Sequence, residues 1–390
     1  MTANNRQSGT GETGMAGRGV GGHGMNAHGR PHWGGRRKWR VLVVDDSAFF
    51  RQSIAEMLNE SGRFEVVGRA ADGVDAMSLM RGSMPDLVTL DLEMPRMNGF
   101  AFLRWVMSTQ PVPVLVFSSH DSHASVFHAM ELGAADFMAK PSPRASLEIL
   151  SLKRELCEKL EQISEAGLKA IVQRNRLLAT PVSVRPPRPP QEEGGGPPVR
   201  LVVIGASTGG PPAIQAILRE LPPMLHTPIV IVQHMPPVFT RHFSERLNSQ
   251  CSMAVYEAQD GDSLEPGKIL VAPGNQHVTF RGAAPHVRIQ LQPKREDDRY
   301  APSIDLTMQA AAALFGNGVV GILLTGMGDD GKAGMLAIKA RGGRTIAESE
   351  ETAEIFGMPR EAILAGAADL VLPLPSIASA LMTHMRSSSS

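Results

Sequence analysis

Reactive side chains in this chain gather at the ends of short apolar runs. Leu201 to Ile204 breaks into Gly205-Ala206-Ser207-Thr208-Gly209-Gly210, followed at once by Pro211-Pro212 and an apolar-periodic segment. A strand, a glycine turn and a helix start leave one small hydroxyl exposed at the strand's carboxyl end, with backbone N–H groups behind it. That arrangement suits either a nucleophilic Ser207 or a loop that cradles phosphate. Two further runs supply partners for a nucleophile. Pro228 to Val232 ends in Gln233-His234-Met235-Pro236, and Val319 to Leu324 ends in Thr325-Gly326-Met327-Gly328-Asp329-Asp330-Gly331. A serine needs a base to attack near neutral pH, a histidine supplies one, and a carboxylate fixes the imidazole tautomer. Asp329 and Asp330 are both open as that carboxylate, with helix capping before Lys332 as the plain alternative. Ser207 sits in a G-x-S-x-G pattern, but the chain order is Ser, His, Asp. The α/β-hydrolase plan puts the acid before the histidine and is disfavoured.

A second set lies nearer the N-terminus. Val41 to Val44 ends in Asp45-Asp46, Leu87 to Leu90 in Asp91, Val112 to Phe117 in Ser118, and Asp136 to Ala139 in Lys140. Three clustered carboxylates repel one another without a cation, and oxygen-only ligands favour Mg²⁺. A lysine and a hydroxyl beside them suit a phosphoryl group. The chemistry implied is phosphorylation of an aspartate.

Alternating elements place both sets. From Trp39 strand and helix patterns alternate five times, and from Arg200 they alternate again. That reads as α/β architecture with two doubly wound parallel-sheet domains, whose chemistry gathers at the carboxyl ends of strands. Between them, Leu147, Leu150, Leu152, Leu156, Leu160 and Ile163 keep helical spacing, and Thr180 to Val199 is rich in Pro and Gly. The expected division is a disordered Gly-rich tail over 1–38, a first domain over 39–144, a helical connector and linker over 145–198, a second domain over 199–386, and a short tail over 387–390.

Composition narrows the function. Lys plus Arg equals Asp plus Glu at 39 each, so the net charge is zero. A nucleic-acid binder or a membrane-surface protein would be basic, so neither is expected. The two cysteines, Cys157 and Cys251, build no disulfide framework. Without an apolar run long enough to span a bilayer, or an apolar signal core, the chain reads as cytoplasmic, with no membrane insertion.

Asp45-Asp46, Asp91 followed by Met94-Pro95-Arg96-Met97-Asn98-Gly99, Ser118 and Lys140-Pro141 resemble a response-regulator receiver domain of the flavodoxin-like fold. The resemblance implies that Asp91 accepts the phosphoryl group. It implies that Asp46 and Asp91 bind Mg²⁺ with Asp45 in the acidic pocket and the Glu93 carbonyl completing the site. It also implies that Ser118, Phe137 and Lys140 report phosphorylation, Phe137 by packing alone because it lacks a tyrosine's hydroxyl. The glycine turn, Gln233 to Pro236, Gly326 to Gly331, Pro302 to Asp305 and Phe356 to Pro359 resemble the Rossmann-like catalytic domain of bacterial chemotaxis protein-glutamate methylesterases.

By that likeness Ser207 is the nucleophile, His234 the base and Asp330 the orienting acid, with Thr208 and Met327 supplying backbone N–H groups to an oxyanion hole. His277 is structural or lines the site. The implied function is phosphorylation-activated hydrolysis of glutamate γ-methyl esters on methyl-accepting chemoreceptors, with deamidation of receptor glutamines, and no cofactor in the esterase site. A chemotaxis histidine kinase would be the phosphodonor, and the unphosphorylated receiver would pack over Ser207. The alternative is a receiver-controlled module that binds phosphate or a nucleotide without hydrolase activity.

Overall fold

The computed structural model describes residues 38–118, 125–140, 152–164, 200–223, 225–283 and 286–386, and the backbone of Gly24–Met25 and Pro31–His32. Those two short segments pair antiparallel within a separate unit, Met1–Arg37, where sequence composition alone predicts an unstructured tail. Lys38–Ser390 forms one compact unit. The linker over Thr180 to Val199 and the last four residues lie outside the described residues.

The first sheet contains β1 (Trp39–Val44), β2 (Phe64–Ala70), β3 (Leu87–Asp91), β4 (Val114–Ser118) and β5 (Asp136–Ala139). All pair in parallel, in the order β2-β1-β3-β4-β5. Helices α1 (Ala48–Glu60), α2 (Gly73–Ser83), α3 (Gly99–Thr109) and α4 (Ser125–Glu131) alternate with the strands. Successive strand residues face opposite sides, and both sides are covered, so β1 is apolar from Val41 to Val44. Leu42 and Val44 pack with Met80, Phe102 and Val126 from α2 to α4. Val41 and Val43 pack with Phe50, Ile54 and Leu58 of α1 and with Leu152, Leu156, Leu160 and Ile163. Those last four lie on α5, residues 152–164. A domain end at 144 is therefore too early. α5 covers this face of β1 beside α1, so the supposed connector helix completes the layer.

The second sheet has seven parallel strands in the order β8-β9-β7-β6-β12-β13-β14. They are β6 (Leu201–Ala206), β7 (Ile229–Gln233), β8 (Ala254–Glu257), β9 (Lys268–Val271), β12 (Val319–Leu323), β13 (Arg344–Glu348) and β14 (Leu370–Leu372). The hairpin β10 (Gln276–Ala283) and β11 (His286–Pro293) pairs apart from it. Helices α6 (Gly210–Glu220), α7 (Pro237–Gln250) and α11 (Leu374–Arg386) cover one face; α8 (Ile304–Phe315), α9 (Lys332–Ala340) and α10 (Met358–Leu364) cover the other. The chain leaves β6 toward β7 and returns on its other side at β12, so β6 lies at the switch point where such sheets hold their ligands.

The two halves share one apolar cluster. Phe127 of α4 stacks on Phe243 of α7 with centroids 5.5 Å apart, and Phe137 of β5 meets Phe239 edge-on at 4.7 Å. Glu131 and Arg246 form an ion pair between the same two helices.

Candidate active site

Ser207 and His234 each stand one residue beyond a strand whose last residues are paired, Ala206 with Gln233. The His234 N–H donates to the Ala206 carbonyl at 3.0 Å, so the pairing continues past the strand ends. Neighbouring strands lie about 4.8 Å apart, and carrying the alternation forward sends both side chains to the α8 face. There His234 Nε2 lies 2.8 Å from Asp330 Oδ2. The other ring nitrogen, Nδ1, is buried without a hydrogen-bond partner.

Asp330 is 4% exposed and accepts more than the imidazole. Ile304 N donates to Oδ2 at 2.8 Å, Asp305 N to Oδ1 at 2.9 Å, and Ser303 Oγ to Oδ1 at 3.1 Å. Burial alone would push this carboxyl up. The His234 contact and the N–H groups of the first turn of α8 outweigh burial and hold it below the ordinary carboxylate range. It is therefore an anion that accepts the proton Nε2 carries, so a neutral imidazole here has its lone pair at Nδ1. Asp305 returns the contact, its Oδ1 accepting Gly331 N at 2.9 Å and Gly334 N at 2.6 Å at the start of α9. Asp329, the neighbour that sequence chemistry left open, is half exposed beside Lys332 at 3.2 Å and Arg299 at 3.7 Å.

Tyr300 was not singled out from the sequence. Its ring lies parallel to that of His234, with centroids 4.5 Å apart and 4° between planes, and Arg299 caps its other side at 5.0 Å. No local spacing signals a stacking partner that arrives from 66 positions away. His277, 3% exposed, accepts from Ser303 N at 3.2 Å and bonds Asp298 at 2.8 Å, so it supports the corner that carries Asp330's donors.

The loop after β12 closes over the serine turn. Thr325 O accepts from Ser207 N at 3.0 Å, and Thr325 Oγ1 donates to Thr208 O at 2.9 Å. A Cβ on Gly326 would stand 2.7 Å from Ser207 Cβ and 2.5 Å from Met358 Sδ, so only glycine lets this loop approach. Met327, between Gly326 and Gly328, is 39% exposed. Thr208 is buried, and its hydroxyl lies 2.8 Å from Asp136 Oδ2 on β5 and 3.1 Å from Gln162 Oε1 on α5. Lys159 Nζ contacts the same Asp136 oxygen at 2.5 Å. The first half thus reaches the residue directly after the candidate nucleophile.

At the carboxyl ends of the first sheet, ligand atoms of Asp45, Asp46 and Asp91 lie within 4.8 Å of one another. Lys140 Nζ lies 2.7 Å from Asp91 Oδ2 and 2.8 Å from Asp45 Oδ2. Burial pushes the Asp91 carboxyl up to about 6 against the opposing pull of Lys140, and burial likewise raises Asp45. One ammonium for three carboxylates leaves negative charge that a divalent, oxygen-loving cation would neutralise, so these residues fit Mg²⁺. Ser118 is fully buried at the end of β4, and Phe137 is 4% exposed, packed against Phe127 and Phe239.

A family model described as CheB methylesterase matches residues 202–381, and one described as response regulator receiver domain matches residues 41–150. A protein of Geobacter sulfurreducens named protein-glutamate methylesterase/protein-glutamine glutaminase 3 is 42% identical over 358 residues, 87% of this chain and 95% of its own length. A Pyrococcus abyssi protein named protein-glutamate methylesterase/protein-glutamine glutaminase is 42% identical over 348 residues, 87% of this chain and 92% of its own. The crystal structure of the Thermotoga maritima CheB methylesterase catalytic domain, 38% identical, covers 49% of this chain and 99% of that one, with a TM-score of 0.46.

Proposed function

The chain belongs to the protein-glutamate methylesterase/protein-glutamine glutaminase family, and from that premise we propose that Ser207, His234 and Asp330 carry its hydrolysis of glutamate γ-methyl esters on chemoreceptors. The observation that carries the reading is His234. One ring nitrogen is fixed by an ionised Asp330, and the other is buried and unpaired, at the end of the strand beside the one that carries Ser207. This reverses the use of the two nitrogens in the serine-protease triad, where Nε2 meets the serine.

Ser207 Oγ attacks the ester carbonyl as Nδ1 of His234 takes its proton. The imidazolium keeps its bond to Asp330 and faces the Tyr300 ring, whose quadrupole favours the cation. Thr208 and Met327 present backbone N–H groups to the oxyanion. His234 returns the proton to the departing methanol, then removes one from the water that resolves the acyl-enzyme. An amide passes through the same tetrahedral intermediate and loses ammonia, which accounts for glutamine deamidation. A phosphate-cradling loop without hydrolase activity leaves the His234–Asp330 pair without a task.

Asp91 accepts a phosphoryl group from a kinase. Asp46 and Asp91, with Asp45 and the Glu93 carbonyl, would hold Mg²⁺, which would supply positive charge to the transferring group. Lys140 and Ser118 contact the added phosphate, and Phe137 repacks. Because β5 and α5 hold Thr208, the unphosphorylated receiver restrains the catalytic turn, and phosphorylation releases it. No helix among the described residues is long and apolar enough to cross a membrane, in keeping with action on the cytoplasmic part of a receptor. The test is methanol release from methylated receptor, with and without phosphodonor and Mg²⁺. Ser207→Ala should abolish release while Asp91 is still phosphorylated; retained release would overturn the assignment.

A further inference from the structure

The apolar pattern of β7 is broken at its last residue. On β7, Ile229 and Ile231 face the α6 and α7 layer, and Gln233 has the same parity. An apolar side chain belongs there, yet the position holds an amide that is 2% exposed. Buried polar groups that defy their pattern cluster where a fold serves a site. Gln233 Nε2 donates to Ser207 O at 2.8 Å and to His234 O at 3.2 Å, while its Oε1 is buried without a partner. The leftover acceptor costs stability, which packing alone gives no reason to accept.

The consequence is stereochemical. Ser207 C=O and Thr208 N–H belong to one planar trans peptide and point in opposite directions. Ser207 O is held from behind by Gln233 Nε2 and by Gly210 N at 2.8 Å. Thr208 N–H is thereby turned to the front, the side to which Ser207 and His234 project. Gly210 keeps the amide in place, since a Cβ there would collide with Gln233 Oε1. We infer that Gln233 is a positioning residue that aims the Thr208 N–H at the oxyanion and locks the nucleophile's turn to the strand end carrying the base. This rests on the assignment of Ser207 as nucleophile and Thr208 as oxyanion donor.

The test uses the full-length protein and methylated receptor. Gln233→Met keeps the length of the side chain and removes both donors. Expected is a fall in kcat of about 10- to 100-fold, smaller than the ~10²–10³ of deleting an oxyanion donor, with KM within about twofold. An arylboronic acid, which forms a tetrahedral adduct on Ser207, should lose affinity by the same factor as kcat/KM. Gln233→Glu adds a readout that depends on protonation. The carboxylate repels both carbonyls, whereas the protonated acid restores one donor, so its kcat relative to wild type should climb as pH falls. A folded Met variant with wild-type kcat, with loss confined to KM, or with unchanged boronate affinity overturns the inference. Should that variant not fold, a pH-independent ratio for the Glu variant overturns it. Ser207→Ala, run in parallel, separates the two ideas. If it keeps releasing methanol the nucleophile is misassigned, and if it is dead while both Gln233 variants match wild type only the positioning role fails.

Discussion

Replacing Asp330 with Asn changes one oxygen to an amide nitrogen in a carboxylate that faces donors on both sides. Oδ2 accepts His234 Nε2 and Ile304 N, each at 2.8 Å, and Oδ1 accepts Asp305 N at 2.9 Å and Ser303 Oγ at 3.1 Å. Either orientation of the new amide sets its NH₂ against a backbone N–H of α8. If the oxygen stays toward His234, the tautomer survives but the bond loses its charge. Charged hydrogen bonds contribute about 1.5–3 kcal/mol and neutral ones about 1, which puts the loss in kcat at about 2- to 30-fold. If the nitrogen turns toward His234, Nδ1 takes the ring proton and the base is lost, a fault worth about 10⁴ in kcat. Both orientations also forfeit a capping bond of roughly 1 kcal/mol, so the variant should melt a few degrees lower. Asp329→Asn, at a half-exposed position, should stay within about twofold. The assay is methanol release under saturating receptor, with a thermal melt of each variant. Asp330→Asn with wild-type kcat, or an equal loss in Asp329→Asn, refutes the reasoning.

Gly326→Ala drives a methyl against Ser207 Cβ and Met358 Sδ; it should cost at least about 10-fold in kcat, since an ångström of misplacement can cost ~10², and an unchanged kcat would show that the loop yields freely. Asp136→Asn should raise methanol release by the unphosphorylated protein and leave the phosphorylated rate unchanged, because it loosens the contact with Thr208; an unchanged basal rate counts against restraint through that residue. Burial pushes Glu348 up to about 7 from an ordinary 4.5, opposed by donors from Thr325 and Thr352 and aided by Glu354. A carboxyl raised this way binds more protons folded than unfolded, so stability falls as pH rises from about 4.5 to about 7 and the penalty levels off above that. Its size is on the order of 3 kcal/mol, so Glu348→Gln should raise the melting temperature at pH 8 and leave it near wild type at pH 4; equal effects at both would sink the argument.

Legibility in the sequence followed the range of the interactions. Both sheets could be read because β1 and β6 are apolar on both faces and end in reactive residues, a local pattern. Ser207 and His234 were visible for the same reason. Asp329 and Asp330 could not be separated by chemistry, since both follow β12. The start of α8 distinguishes them geometrically, since Ile304 N and Asp305 N donate to Asp330. The spacing of Leu152, Leu156, Leu160 and Ile163 revealed an apolar stripe but not its partner, which is β1 and α1 more than ninety residues upstream. Thr208 reads locally as a turn residue, and nothing near it announces Asp136, 72 positions earlier. α10 and β14 are short and were not read at all.

Phe127, Phe137, Phe239 and Phe243 join the two halves through an aromatic contact beside the Glu131–Arg246 ion pair. A switch that parts this contact must wet those rings, and its thermodynamics are then those of apolar hydration. Opening carries a positive heat-capacity change, so the phosphorylation-induced gain in rate should bend with temperature and be easiest to obtain in the cold. Sulfate, which strengthens apolar association, should hold the protein shut even when Asp91 is phosphorylated.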